Sequence, residues 1–170
     1  EYEIAIETAL GGSISNIVTD NEQTAKSMIQ FLKKNRFGRA TFLPLTSIRG
    51  RRAENADRIC GEEGVIGLAS DLIRVDSQFG HLADYLLGRG FIVNHIDHAL
   101  ALAKKYRYSL RIVTLEGESL NPGGSLSGGA YKNTGNLLGR HREMEELQKH
   151  VETLRKEGAS LKQQINQLQS

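Results

Sequence analysis

Apolar residues recur at helical spacing in two stretches of this chain that resemble each other. Residues 2–11 (YEIAIETALG) align with residues 79–88 (FGHLADYLLG) at an offset of 77. Each stretch opens on an aromatic residue and ends on a glycine, which commonly closes a helix by taking the left-handed conformation. The pattern therefore predicts two short helices, one closed by Gly11 and the other by Gly88.

The elements that follow also occur twice. Short apolar strands are predicted first, then longer helices, then strands rich in β-branched and apolar residues. The two copies pair residues 17–18 with 92–93, 21–35 with 97–106, and 39–43 with 111–115. Asp20 is the predicted N-cap of the first long helix, with Gln23 three residues later as in a capping box. Four elements in the same order indicate an internal repeat.

The second copy begins with a segment that the first copy lacks. Residues 64–76 (GVIGLASDLIRVD) are predicted to form a strand that ends at the helix N-cap Asp76. Because a counterpart in the first copy would precede Glu1, we expect the chain to start inside a domain. Residues 46–63 are rich in Arg, Glu and Gly and are predicted to be the loop between the two copies.

The last part of the chain carries heptads. Its apolar residues are spaced alternately three and four positions apart if Gly158 is counted among them, which is the a/d pattern of a coiled coil. A surface helix of a globular domain usually has a wider apolar stripe. The predicted seam consists of Met144, Leu147, Val151, Leu154, Leu161, Ile165 and Leu168.

Positive and negative charges are segregated along the sequence, although the net charge is only +2. Three spans without Asp or Glu, residues 23–53, 98–115 and 119–142, hold fifteen of the 22 Lys and Arg residues. Such segregation can build a surface that binds a polyanion. The charged fraction of 25% and the hydrophobic fraction of 39% are those of an ordinary folded domain.

A glycine-rich segment, residues 121–129 (NPGGSLSGG), lies between the second copy and the heptads. Its Leu126-Ser127-Gly128-Gly129 string matches the core of the signature motif of ABC-type ATPases. However, the chain has no Gly-Lys dipeptide, which a phosphate-binding loop requires. The segment could instead be a flexible turn, or a place where another backbone approaches closely because no Cβ atoms obstruct it.

Other candidate chemistry is sparse. His95, Asp97 and His98 could ligate a metal, but no fourth ligand is evident and polar residues are common where helices begin. Cys60 is the single cysteine, so an internal disulfide and a cysteine-based zinc site are excluded. No apolar run approaches the ~20 residues of a membrane span, and the acidic start of the chain is unlike a secretory signal. We expect no metal, no cofactor, no membrane partner and a cytoplasmic location.

Together these motifs closely resemble the hinge of bacterial structural maintenance of chromosomes (SMC) proteins, which act in chromosome segregation and condensation. The resemblance covers residues 2 to about 142. It is carried by the repeat, by residues 37–45 (FGRATFLPL) and 111–117 (RIVTLEG), by the glycine-rich segment and by the heptads after it.

The resemblance implies a non-catalytic homodimerisation module that joins two coiled-coil arms, the far ends of which carry ATPase heads. It also implies that Gly123, Gly124, Gly128 and Gly129 lie at the dimer contact. Basic residues near the root of the arm would bind DNA, and a nucleoid-associated location would follow. Lys132, Arg140 and Arg142 match those residues, and the first acid-free span offers a second candidate patch of Lys33, Lys34, Arg36 and Arg39.

We therefore predict an α+β fold with two related subdomains and a C-terminal coiled-coil helix. The predicted division is residues 1–45, a connecting loop at 46–63, residues 64–138, and a helix at 139–170. Its expected partners are a second copy of the chain, DNA and the absent N-terminal arm. An ABC-type ATPase fragment and a free-standing coiled-coil DNA-binding regulator stay open as alternatives.

Overall fold

The computed structural model describes residues 2–130 and 137–169, without the side chains at 137, 141, 142 and 169. The chain divides into two units, residues 1–131 and 132–170, which are described separately. The first unit contains five helices and seven strands among its described residues. In chain order these are α1 (Glu3–Leu10), β1 (Ile17–Thr19), α2 (Glu22–Lys34), β2 (Phe42–Pro44), α3 (Ala56–Cys60), β3 (Val65–Leu68), α4 (Gly80–Leu87), β4 (Gly90–Val93), α5 (Ile96–Lys105), β5 (Arg111–Thr114), β6 (Ser119–Leu120) and β7 (Leu126–Ser127).

The predicted repeat is present as two β-α-β units, each preceded by a short helix. β1 pairs with β2 in parallel and β4 pairs with β5 in parallel, with α2 and α5 as the crossover helices. Parallel neighbours need such a crossover, and a helix is its usual form. The second unit extends into a five-stranded sheet of order β3-β4-β5-β6-β7, whereas the first has only its two strands in the described residues.

Both crossover helices begin and end in the same way. The N-caps are Asn21 and His95, and the preceding residue accepts a hydrogen bond from the backbone N–H of each. At the other end, Phe37 N–H donates to Leu32 O at 3.0 Å and Tyr108 N–H to Ala103 O at 2.8 Å. These bonds span five residues, as in a Schellman motif. The turn chemistry therefore repeats along with the secondary structure.

Four local predictions need correction. The N-cap of α2 is Asn21, whose side chain accepts from Thr24 N–H at 2.9 Å, because Asp20 is engaged by Asn21. Gly11 has a positive φ of 52°, but Gly88 does not. The strand predicted at 64–76 ends at Leu68, where a 3₁₀ turn begins. The strand predicted at 39–43 occupies Phe42–Pro44.

The segment predicted to be a loop, residues 46–63, is more ordered than expected. It contains α3, whose Ile59 is buried in the core of the second copy. It is also fixed by Arg52, which donates to both Asp71 oxygens at 2.7 and 2.8 Å and to Asp84 at 3.1 Å. The hydrogen bonds from Arg52 lower the pKa of Asp71. This segment is consequently part of the fold.

The core lies mainly in the second copy, in two layers on opposite faces of the five-stranded sheet. On one face, Phe91, Val93 and Ile112 pack against α3 and α5. On the other, Ile92 and Val113 pack against α1 and Leu87 of α4. Helix α1 of the first copy thus covers one face of the five-stranded sheet of the second copy.

The second unit is a single described helix, α6 (Leu137–Gln169). It begins close to the predicted position 139 and includes every predicted seam residue. All seven of these apolar side chains are exposed within the described structure, as expected for one strand of a coiled coil without its partner. No described helix is both long and apolar enough to cross a membrane.

Candidate dimer and DNA interfaces

The glycine-rich segment forms a hairpin. β6 and β7 pair antiparallel, with Leu120 opposite Leu126, and Asn121 N–H donates to Ser125 O at 2.9 Å across the turn. The turn is tied to the crossover of the second copy, since Gly123 N–H donates to Tyr108 O at 2.8 Å. The segment is therefore an ordered hairpin at the edge of the five-stranded sheet.

Two structural features explain why glycine occupies the four positions predicted at the interface. Gly123, Gly124 and Gly129 have φ values of 93°, 94° and 143°, which side-chain-bearing residues rarely adopt. Gly128 instead has a packing reason, because a Cβ there would lie 2.9 Å from Cγ of Glu118. A Cβ at Gly123 or Gly129 would meet no described atom within 4 Å. Space beside these two glycines is therefore open within the described protomer.

β7 is the outer strand of the five-stranded sheet. Among the described residues, only β6 pairs with it, and the side chain of Leu126 is 54% exposed. An exposed edge with an apolar side chain is a template for pairing with another chain. Sequence reasoning did not single out Leu126, whose apolar character within a glycine-rich turn was the available signal.

The small sheet of the first copy has an uncovered apolar surface. Counted from the N-caps, Met28 of α2 corresponds to Leu102 of α5, yet Met28 is 42% exposed and Leu102 only 4%. Leu102 belongs to the same buried core cluster as Ile59 of α3 and Leu120 of β6, and the described first copy has no counterpart of either element. Further exposed apolar residues in this copy are Ile17, Val18, Ile29, Phe31 and Phe37.

The predicted basic patch at the end of α2 is exposed. Lys33 and Lys34 occupy the last turn of the helix, Arg36 follows in the left-handed conformation, and Arg39 precedes β2. None of the four forms an ion pair with a described carboxylate. In the second copy, by contrast, Lys105 contacts Glu62 at 2.6 Å. The four basic residues at the end of α2 therefore form an exposed positive patch on the first copy.

The other predicted DNA-binding residues lie in or near the second unit. Arg140 is an exposed residue of α6. Lys132 and the side chain of Arg142 lie outside the described residues. Their role as DNA contacts stays a prediction.

The histidine motif does not form a metal centre within the described residues. The rings of His95 and His98 stack with centroids 4.2 Å apart, and Nδ1 of His98 is hydrogen-bonded to Oδ1 of Asn94 at 2.7 Å. Cys60 is half-buried and burial raises the pKa of its thiol, so it is poorly suited to nucleophilic chemistry.

Comparison with known proteins settles the family. Residues 1–103 match the family model of the flexible hinge domain of SMC proteins. The chain belongs to the SMC hinge family. It is the hinge part of such a protein and not the ATPase head, so the Leu126-Ser127-Gly128-Gly129 string belongs to a non-catalytic domain and the ATPase interpretation is set aside.

Relatives of this hinge include the chromosome partition protein Smc of Bacillus subtilis, 44% identical over 99% of this chain, and that of Clostridium kluyveri, 41% identical over 100%. The chain spans 14% of the length of each. A solved asymmetric dimer of the Geobacillus stearothermophilus SMC hinge domain superposes with a TM-score of 0.77 at 39% identity, covering 95% of this chain and 66% of that one. The Pyrococcus furiosus SMC hinge domain superposes with a TM-score of 0.62 at 32% identity, covering 76% of this chain and 64% of that one. The α+β hinge fold and its C-terminal helix are thus confirmed.

Proposed function

We propose that this hinge forms a homodimer, joins two coiled-coil arms and binds DNA without base specificity, in the cytoplasm on the chromosome. The proposal of a homodimer rests on two surfaces of one protomer that have no partner among the described residues. β7 offers an open edge flanked by glycines, and the two-stranded sheet of the first copy offers an open edge beside an exposed apolar surface. Natural proteins rarely leave such edges and patches uncovered.

A two-fold axis would satisfy both surfaces at once. If the outer edge of β2 in one chain meets β7 of its partner, the same contact occurs twice around the axis and the assembly closes as a ring. The glycines beside β7 would let the two backbones approach closely. The exposed seam of α6 would pair with a helix of matching heptads, which the family resemblance assigns to an N-terminal arm.

Leu126→Lys is expected to turn the dimer into a monomer. Leu126 is already exposed in the protomer, so lysine leaves the fold intact, but in the interface its charge would have to lose water. The dimer dissociation constant should rise at least about tenfold, a cost of ~1.4 kcal/mol. The measurement is the molar mass in solution over a range of concentrations.

Leu100→Lys is the matched control for that experiment. Leu100 is 36% exposed, lies on α5, and should leave the dimer unchanged. A Leu126→Lys protein that stays dimeric, while removal of residues 143–170 gives monomers, would instead place dimerisation in the tail. That result favours the coiled-coil regulator over the hinge interface proposed above.

DNA contact is proposed at Lys132, Arg140 and Arg142, with Lys33, Lys34, Arg36 and Arg39 as a second patch. The exposed, unpaired cations of the second patch support a polyanion surface, and phosphate contacts made by Lys and Arg carry no sequence information. Such binding releases counterions, so affinity should fall steeply with salt.

A salt titration tests the two patches. Lys132→Glu/Arg140→Glu/Arg142→Glu should lower the slope of log K against log salt by about one for each phosphate interaction that the variant removes, with little dependence on DNA sequence. Lys33→Glu/Lys34→Glu is the parallel variant for the second patch. If both variants bind DNA with the wild-type slope and affinity, the proposal that the substituted residues contact DNA is wrong.

A further inference from the structure

The turn that follows α5 holds two consecutive side-chain-bearing residues in the left-handed conformation. They are Arg107, with a φ of 53°, and Tyr108, with a φ of 54°. In this region Cβ lies too close to the following carbonyl oxygen, so each such residue costs free energy. Strained residues of this kind persist only where surrounding contacts hold them, and they cluster at functional sites. The contacts of Tyr108 are therefore informative.

The first copy of the repeat shows that one left-handed residue is enough to end a crossover helix. The matching hydrogen bonds after α2 and α5 make Arg36 the counterpart of Arg107 and Phe37 the counterpart of Tyr108. Arg36 has a φ of 54°, as is usual for the residue that closes a helix, but the φ of Phe37 is not positive. The left-handed conformation of Tyr108 thus belongs to the second copy, which is the copy that carries the glycine-rich hairpin.

Tyr108 contacts the turn of that hairpin through its backbone and its ring. Its carbonyl oxygen accepts a hydrogen bond from Gly123 N–H at 2.8 Å, and the Cβ position of Gly124 lies 3.6 Å from Cδ1 of the ring. Both glycines have positive φ, and glycine loses more conformational freedom on ordering than any other residue. Tyr108 therefore supplies order that this turn lacks by itself.

The core does not explain the tyrosine at this position. Tyr106 and Leu110, on either side of it, pack against the core cluster of the second copy. Tyr108 is part of neither core cluster and is 40% exposed. Packing within the core thus gives no reason to hold Tyr108 in a left-handed conformation, whereas its contacts with the hairpin do.

We propose that Tyr108 is a positioning residue of the dimer interface. It fixes the turn at Gly123 and Gly124, so that β7, which begins at Leu126, presents its edge to a partner chain in a single conformation. An edge that is already ordered loses less conformational entropy when it pairs. The inference rests on the dimer proposed above, and it adds a residue that lies outside β7 and outside the four glycines.

Tyr108→Gly and Arg107→Gly form a matched pair of variants for the test. Each replaces one of the two left-handed residues by glycine, which adopts this conformation without strain, but only Tyr108→Gly removes the ring beside the hairpin. The dimer dissociation constant of the whole chain is measured by sedimentation over a range of concentrations. It should rise about tenfold in Tyr108→Gly and stay within about twofold of the wild type in Arg107→Gly. Tyr108→Phe keeps the ring and should dimerise as the wild type does.

Hydrogen exchange separates positioning of the hairpin from a general loss of stability. It is measured by mass spectrometry at protein concentrations below the dimer dissociation constant, so that the protomer alone is observed. In Tyr108→Gly, exchange at residues 121–125 should be at least about fivefold faster than in the wild type, because local opening of the hairpin becomes easier. The amides of β5 should keep their wild-type protection, and Arg107→Gly should leave residues 121–125 unchanged.

Four results would overturn the positioning role even if the wild type is a dimer. They are an unchanged dissociation constant in Tyr108→Gly, an equal rise in both glycine variants, unchanged exchange at residues 121–125, and lost protection of β5, which would make the tyrosine a support of the fold. A wild-type chain that stays monomeric at every concentration would overturn the dimer and this role with it. The state of the wild type therefore distinguishes a failure of the proposed function from a failure of this inference.

Discussion

Replacing Gly123, Gly124, Gly128 and Gly129 together by alanine is expected to convert the dimer into a folded monomer. Methyl groups at Gly123 and Gly129 would meet no described atom of the protomer and would occupy space that a partner chain needs for close approach. A methyl group at Gly124 would contact Tyr108, and one at Gly128 would press on Glu118 and shift the hairpin. Overpacking costs ~1–3 kcal/mol at each tightly packed site, and together these effects exceed what a modest interface gains. Molar mass by light scattering, with circular dichroism to verify folding, is the measurement.

Part of the cost of this variant is intrinsic to the protomer. Gly123, Gly124 and Gly129 have positive φ, so alanine strains the hairpin by roughly 1 kcal/mol at each. The four glycines lie outside both core clusters, which is why we expect the core to survive. Gly80→Ala/Gly158→Ala is the control, because neither glycine has a neighbour within 4 Å of a new Cβ or a positive φ. A quadruple variant that stays dimeric contradicts the glycine interface.

Gly88→Ala is expected to destabilise the fold by about 2–4 kcal/mol. A Cβ at Gly88 would lie 2.3 Å from the backbone oxygen of Arg51 and 2.4 Å from that of Asp84. Both obstacles are main chain, so they cannot move aside as a flexible side chain would. The shift would also weaken the 2.7 Å hydrogen bond from Ala53 N–H to Gly88 O, which holds the connecting segment on α4.

Urea unfolding at one fixed protein concentration measures this effect, since dimerisation makes stability concentration-dependent. Gly80→Ala is the matched control, because it adds the same methyl group to the same helix in open space. It should be neutral or slightly stabilising, as alanine is the better helix former. A midpoint for Gly88→Ala equal to that of Gly80→Ala would show that the connecting segment is not packed as described.

The sequence predicted the repeat and the coiled-coil seam because both depend on periodicity. Apolar spacing alone distinguishes a crossover helix from a strand, and the alternation of three and four from Met144 to Leu168, with Gly158 counted, favours a coiled-coil seam. The residue that caps a helix was harder to predict from the sequence. Asp20 and Asn21 are both good N-caps, and only the structure shows that Asn21 caps α2, since its side chain accepts from Thr24 N–H.

Other features needed the tertiary structure because they depend on contacts between distant residues. The connecting segment reads as a loop, yet Ile59 is buried because the sheet of the second copy lies beneath it. Gly88 looked like a left-handed cap, but it is required because the backbone of Arg51 crosses above it. Arg49, Arg51, Arg89 and Arg111 are spread over 63 positions of the chain. These four arginines line one groove of the folded chain, which the sequence could not show because it gives the order of charges along the chain and not their positions in space.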